Sequence, residues 1–322
     1  MALPDVVVQL GVVVVTVAGL GGGARLLVDS VVRMARQLDV SDFTIGLTVV
    51  AVGTSTPELA VTVDAALKGL GNLALANVFG SNIYNIAFVL GVVAIVRPVA
   101  VDESLLRRDG IALLASTFLA GAVVSDLVVT RLEGGLLAGL FVAYTAFLLR
   151  TDRQTAAADE TVPASDTGVV TERTPFRWRD VVSLLVGLGI ILVSGDLLVQ
   201  AASALALDAG VSEWVIGGTI VAAGTSTPEL AVSLVALRRG SLGVSVGNVV
   251  GSNVFNLLGV VGVASLVRPL SVSAVALETF WWLVAVSLVV VAALWTGRRL
   301  SRVEGTVLAG SEVVRWVVGL FA

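Results

Sequence analysis

Gly53-Thr54-Ser55-Thr56-Pro57-Glu58-Leu59 recurs letter for letter as Gly224-Thr225-Ser226-Thr227-Pro228-Glu229-Leu230. Each copy sets a proline and a carboxylate inside an otherwise apolar stretch. The match extends outward from there: Ala24 to Pro98 aligns without a gap on Gly195 to Pro269, position n always pairing with n + 171. The chain is therefore an internal duplication. Hydrophobic segments interrupted by Gly and Pro at corresponding positions of two halves, each holding an acid, are a recurrent pattern of membrane carriers.

Composition agrees with a membrane setting. Over 322 residues the chain is 57% hydrophobic and 14% charged, with a mean hydropathy of +0.99. A hydrocarbon core roughly 30 Å thick needs about 20 mostly apolar residues per crossing. Ten such stretches lie near 6–24, 43–67, 72–96, 110–128, 134–150, 181–202, 214–237, 243–267, 274–295 and 303–321. The expected fold is an all-α membrane protein of ten transmembrane helices, built as two inverted five-helix repeats. Residues 1–150 form the first repeat, with its motif at 43–97, and 181–322 the second, with its motif at 214–268. Between them 151–180 is polar, and it reads as a solvated linker that need not fold.

Basic residues orient the chain. With the N-terminus outside, the inner loops hold sixteen arginines, from Arg25, Arg33 and Arg36 through Arg238 and Arg239 to Arg302, and the outer side keeps Lys68, Arg131, Arg268 and Arg315. Both termini are thus expected outside a cell membrane crossed many times, with the linker cytoplasmic. An odd number of spans per repeat turns the second copy upside down. The first apolar segment lacks a basic leader, so it reads as the first helix rather than a cleaved signal. Zero cysteines and zero histidines exclude disulfides, thiolate metal sites and the commonest proton shuttle. Nothing in the sequence points to nucleic acid or to a cofactor.

The chemistry concentrates on two pairs of spans. In the second span Ala51, Thr54, Ser55, Glu58 and Thr62 recur at three- and four-residue steps and share one helical face. Pro57 has no N–H, so the Gly53 carbonyl loses its helical partner, and Pro228 does the same to Gly224. Freed carbonyls inside a bilayer are tolerated where they are buried in protein or line a hydrated cavity. In the third span Asn77, Ser81 and Asn85 fall at i, i+4 and i+8, and Asn248, Ser252 and Asn256 copy them. Gly80 and Gly251 offer close helix approach.

Together these four helices present Glu58 and Glu229, the hydroxyls of Thr54, Ser55, Thr225 and Ser226, and the inner amides of Asn85 and Asn256. All are hard oxygens. That set suits Ca²⁺, which takes six to eight oxygens at about 2.3–2.6 Å, or Na⁺, and does not suit zinc or copper. Simpler roles remain open for several residues: a lone buried Glu can serve packing, and Ser81 and Ser252 can bond neighbouring helices. Asn77 and Asn248 fit packing and ligation equally well. Asp64 has Val235 as its counterpart, so it reads as a residue of the outer mouth, while Arg25 and Asp196 snorkel near span ends. Trp214, Trp281, Trp282 and Trp295 read as interfacial anchors.

At these residues the chain resembles the sodium/calcium exchanger family of the cation/calcium exchanger superfamily, prokaryotic type. The resemblance rests on the paired G-T-S-T-P-E strings and on A-N-V-F-G-S-N and G-N-V-V-G-S-N, and it spans both halves. It implies a secondary active antiporter, not an enzyme, that exchanges Ca²⁺ for Na⁺ by alternating access, with the first helix of each half sliding against the rest. Position by position it implies that Glu58 and Glu229 bridge Ca²⁺ with the Thr54 and Thr225 carbonyls. Flanking Na⁺ sites would draw on Ala51, Ser55, Ser81, Ala222, Ser226 and Ser252, and Asn85 and Asn256 would hold a central water or ion. Some members carry Asp at one of these last two positions; both are Asn here, which speaks against K⁺ coupling. A H⁺/Ca²⁺ antiporter or an exchanger of another divalent cation is the nearest rival. A passive channel and an intramembrane serine hydrolase are the readings from other classes, the second being short of a His for a triad.

Overall fold

Pro57 breaks its helix. In the computed structural model, which describes residues 3–38, 40–100, 103, 106–160, 177–210 and 222–319, the helical axis turns by 47° between Asp42–Thr54 and Thr56–Leu67. Ser55 sits at the break with φ −83° and ψ 15°, outside helical geometry, and Pro57 opens the helix that follows. Proline is favoured there because the first turn of a helix has no partner for its N–H in any case. The second copy repeats the break: Ser226 has φ −92° and ψ 9° and precedes Thr227–Arg238.

Around these breaks the described residues are mostly helical. The first half comprises α1 (Leu3–Gln37), α2 (Asp42–Thr54), α3 (Thr56–Leu67), α4 (Gly71–Val96), α5 (Ile111–Val124) and α6 (Arg131–Glu160). The second comprises α7 (Trp178–Asp208), α8 (Ala222–Thr225), α9 (Thr227–Arg238), α10 (Leu242–Val267), α11 (Val275–Gly297) and α12 (Arg302–Gly319). Among the described residues six helices are long and apolar enough to cross a membrane, and a seventh if α2 and α3 form one span. The expected fourth span is helical from Leu106 to Val124, a π-helical segment Leu106–Gly110 carrying Arg107, Arg108 and Asp109 ahead of α5, and the tenth, α12, carries Glu304, Glu312 and Arg315. Residues 214–221 of the seventh expected span, with Trp214, lie outside the described residues.

The ends of the halves depart from expectation in two places. Helix α6 continues to Glu160, ten residues into the stretch read as an unfolded linker, because Thr151–Glu160 contains no Gly or Pro and holds three consecutive Ala flanked by Arg, Gln and Glu. Two short ladders also tie the halves together: β1 (Val99–Ala100) pairs antiparallel with β4 (Arg299–Leu300), and β2 (Val128–Val129) with β3 (Leu270–Ser271). Under the n + 171 relation the first ladder maps onto the second. Capping boxes obey the same relation: Glu133 accepts from the N–H and hydroxyl of Thr130, and Glu304 from those of Ser301.

Packing sorts the helices by enclosure. In α4 and α10, the bearers of the Asn/Ser stripes, 78% and 83% of the most apolar window is buried, against 17% in both α1 and α6. The stripe helices are central, and Val7, Val14, Val15 and Val17 of α1 lie on the outside, as lipid contact requires. Glycine makes the inner contacts possible: a Cβ on Gly251 would lie 2.2 Å from the Leu47 carbonyl oxygen, and one on Gly247 2.3 Å from that of Phe43. Thus α10 rests directly on the α2 backbone. The equivalent contact of Gly80 would be with residue 218, outside the described residues.

Gly251→Ala is expected to lower stability by about 1–3 kcal/mol through overpacking. Gly139→Ala, where a Cβ meets nothing within 4 Å, should stay within about 0.5 kcal/mol. Thermal unfolding of the two variants side by side in detergent checks this.

Candidate functional site

Because α3 and α9 begin afresh after their breaks, Glu58 and Glu229 lie in first turns, with their carboxylates beside the exposed backbone of the break. Both side chains are completely buried. Each is held by the other half of the protein: Ser226 Oγ donates to Glu58 Oε1 at 2.8 Å, and Ser55 Oγ donates to Glu229 Oε1 at 2.7 Å. Ser252 Oγ adds a bond to Glu229 Oε1 at 3.3 Å, and Ser81 faces Glu58 in the same manner. The serine at each helix break thus serves the carboxylate of the opposite repeat.

The backbone nearby is held by amides. Asn77 Nδ2 donates to the Glu58 carbonyl (3.2 Å) and to Thr62 Oγ1 (3.0 Å). Asn248 Nδ2 donates to the Glu229 carbonyl (3.3 Å) and to Ser233 Oγ (3.1 Å), and its Oδ1 accepts from Thr54 Oγ1 at 3.1 Å. These asparagines bind helix to helix; between packing and ligation, their contacts are those of packing. At the first break the Ser55 N–H reaches the Ala51 carbonyl (3.0 Å) and the Leu59 N–H the Ser55 carbonyl (3.1 Å), and at the second the Leu230 N–H reaches the Ser226 carbonyl (3.3 Å). The carbonyls of Gly53 and Thr54 sit at the bend between the first two of these bonds.

Asn85 and Asn256 occupy the second position of two π-helical segments, Tyr84–Val89 and Phe255–Val260, a local widening that sequence periodicity did not announce. Both are fully buried. Asn256 Nδ2 donates to Asn82 Oδ1 at 3.1 Å, and Asn82 Nδ2 to the Asn253 carbonyl at 3.2 Å. Asn82 and Asn253 are thus central residues that the i, i+4, i+8 stripe passed over. Their signal was the doubled G-S-N string, one position beyond each stripe serine. Among the described residues Glu58 Oε2, Glu229 Oε2, both amide atoms of Asn85, Asn253 Oδ1 and Asn256 Oδ1 are buried without a protein partner.

Of the other expected site residues, Thr54, Ser55, Ser226, Ser81 and Ser252 are buried with the glutamates, and Thr225 is half-buried. The Ala51 carbonyl already accepts from Ser55 and, at 3.3 Å, from Thr54 Oγ1. Ala222 opens α8 in the corresponding place. Asp64 is not in the cluster: it is exposed and pairs with Lys68 at 2.6 Å. Taking two carboxylates out of water costs several kcal/mol each. A few hydroxyl bonds do not offset that, so the pair calls for neutralisation, by protons or by a cation that its free oxygens could hold. The donors on offer are carboxylate, hydroxyl, amide and carbonyl oxygens, the set that hard cations take.

Comparison with known proteins gives the arrangement its relatives. Residues 8–150 and 180–311 match the family model described as sodium/calcium exchanger protein. The chain is 31% identical to the sodium/calcium exchanger MaX1 of Methanosarcina acetivorans over 318 residues, covering 89% of this chain and 91% of the relative. It is 32% identical over 302 residues to the inner membrane protein YrbG of Escherichia coli, covering 92% of each. Among solved structures, the sodium-calcium exchanger NCX_Mj soaked with zero Na⁺ and Ca²⁺ superposes with a TM-score of 0.80 at 31% identity, covering 96% of this chain and 98% of that one.

Ser55→Ala and Ser226→Ala each remove one donor from a buried carboxylate. Each should cost about 1.5–3 kcal/mol, the value of a hydrogen bond to a charged group. The two losses should agree closely, because the bonds are counterparts. Melting curves of the purified variants test both statements; a loss confined to one serine contradicts the reciprocity.

Proposed function

Because the chain belongs to the sodium/calcium exchanger family, we propose that it exchanges Ca²⁺ for Na⁺ at the Glu58–Glu229 pair by alternating access. It is a transporter, and the ions are its substrates. The observation that carries the reading is the reciprocal clasp of two buried carboxylates whose second oxygens have no protein partner among the described residues. In this reading the Oε2 atoms, the Thr54 and Thr225 carbonyls, and the amides of Asn85 and Asn256 supply the central ligands. Ser55, Ser81, Ser226, Ser252, Ala51 and Ala222 serve flanking Na⁺. The chain crosses a cell membrane ten times as two inverted repeats, with both termini outside and the segment between α6 and α7 cytoplasmic.

Electrostatics then sets the rule of exchange. One Ca²⁺ balances the pair's two negative charges, as do two or three Na⁺ nearly. An empty, ionised pair at the bilayer midplane is penalised by about 2.5–3.5 kcal/mol per charge even on the lenient insertion scale. The unloaded carrier therefore resists reorientation, which separates exchange from leak. Against the proton-coupled rival stands the ring of hydroxyls around the carboxylates, since a proton needs no oxygen cage.

Ca²⁺ uptake into Na⁺-loaded proteoliposomes diluted into Na⁺-free buffer, with a protonophore and a potassium clamp present, is the direct test. Uptake should follow the outward Na⁺ gradient and ignore K⁺; uptake that requires a pH gradient and ignores Na⁺ would assign the protein to proton coupling. Glu58→Gln and Glu229→Gln should each abolish the flux in protein that still folds, while Asp64→Asn, out at the surface, should retain most of it. Topology is tested by single cysteines, since the chain has none of its own. Ala157→Cys should react with an impermeant thiol reagent from the cytoplasmic side and Leu70→Cys, at an exposed position, from outside.

A further inference from the structure

Arg25 of α1 and Arg238 and Arg239 at the end of α9 line a cavity of about 300 Å³, together with Gly21 and Val235. Three arginines, all exposed, thus line one cavity, and Asp29 pairs with one of them, bonding Arg239 at 2.9 Å. Arg25 and Arg238 have no ion-pair partner among the described residues, so two positive charges stay uncompensated. Arg25, Asp29 and Arg33 form one stripe along α1, and Arg33 is paired with Asp180 at 2.7 Å. Arg25 is thus the member of the stripe left open.

The duplication supplies an internal control. The n + 171 counterparts of this cavity's residues are Asp196 for Arg25, Asp64 for Val235, Leu67 for Arg238, Lys68 for Arg239 and Leu192 for Gly21. At those positions Asp64 pairs with Lys68 at 2.6 Å, and Asp196 accepts a hydrogen bond from the neutral Gln200 at 2.8 Å. A leucine stands where Gly21 leaves space; a Cβ on Gly21 would meet nothing within 4 Å. The arginines thus belong to one end of the duplication alone, the end where α1 packs along α9.

We propose that this cavity binds the phosphate of an anionic phospholipid headgroup. Arginine forks match phosphate oxygens bidentately, and basic pockets beside membrane helices favour anionic headgroups. A lipid fits better than free phosphate because of what leads to the cavity. Leu10, Val14, Val17, Gly21 and Arg25 share one face of α1, and the first three are exposed. That face offers an acyl chain a path ending at the open arginine. With the topology proposed above, the lipid lies in the cytoplasmic leaflet. The inference is independent of the ion-exchange reading.

Native mass spectrometry of the purified protein titrated with phosphatidylglycerol or phosphatidylcholine tests it. The native protein should retain one phosphatidylglycerol in preference to phosphatidylcholine. Arg25→Gln/Arg238→Gln should weaken that binding about tenfold or more. Gly21→Phe, which fills the cavity and keeps every charge, should weaken it likewise, so a folding defect in the arginine variant does not decide the matter. Arg36→Gln/Arg97→Gln, an equal loss of charge elsewhere, should leave it within about twofold. Undiminished binding in the cavity variants, equal retention of phosphatidylcholine, or equal loss in the control pair would overturn the proposal. Displacement of the lipid by inorganic phosphate at matching concentration would reassign the cavity to the free anion.

Discussion

Two buried carboxylates facing each other across the interface of the halves are the constraint on which the rest of this molecule turns. Neither repeat holds its glutamate alone: beside the serine of its own third span, each carboxylate needs a hydroxyl from the opposite copy. Glu58 takes its hydroxyl from Ser226 and Glu229 from Ser55, so the site exists only where the copies meet. The breaks after Thr54 and Thr225 follow from the same need. An unbroken helix would use its backbone oxygens internally, and the serine, held in helical geometry, would not reach across. Proline two residues before the end of each string secures the break by removing a donor, and the local cost is offset by bonds from the opposite half.

Holding backbone open at the centre of an apolar bundle requires ties elsewhere. Asn77 and Asn248 provide them, each binding the carbonyl of its glutamate and the hydroxyl four residues further on. Thr62 and Ser233 differ as residues and agree in what they offer, a hydroxyl at the right place. The glycines of α10 let that helix lie against the α2 backbone at Phe43 and Leu47, which fixes the wall behind Ser252. The π segments at Asn85 and Asn256 complete the centre by widening the helix where amides turn inward. Rigid support around loosely bonded oxygens is the condition for a site that binds an ion and releases it.

Much of this was legible in the sequence because duplication acts as a second measurement. A single Glu on an apolar helix is ambiguous; the same Glu after the same proline, 171 residues later, is not. The helical membrane class followed from composition, and the polar faces from three- and four-residue spacing. What escaped was geometry that spacing does not encode. Periodicity assumes a regular helix, so it missed the π segments and, with them, Asn82 and Asn253, which the stripe leaves one position to the side. The short ladders at residues 99–100 and 128–129 are too brief to carry a pattern. The helical run to Glu160 was masked by its polarity, although its residues favour helix.

The two halves agree and differ in separate regions, and the division has a physical reading. At the centre every position repeats in kind: Glu with Glu, Ser55 with Ser226, Ser81 with Ser252, Asn85 with Asn256. Toward the ends the copies part company. Asp64 corresponds to Val235 and Arg25 to Asp196, and even beside the central amides Tyr84 stacks on Trp316 where its counterpart Phe255 packs on Phe141. On the proposed cycle an ion meets the same oxygens whichever side is open, so the central ligands have to be interchangeable under the two-fold relation. The mouths and outer faces contact different solutions and different leaflets. Asymmetry there leaves the central chemistry untouched, which is why a duplicated chain can keep one site and carry two unlike surfaces.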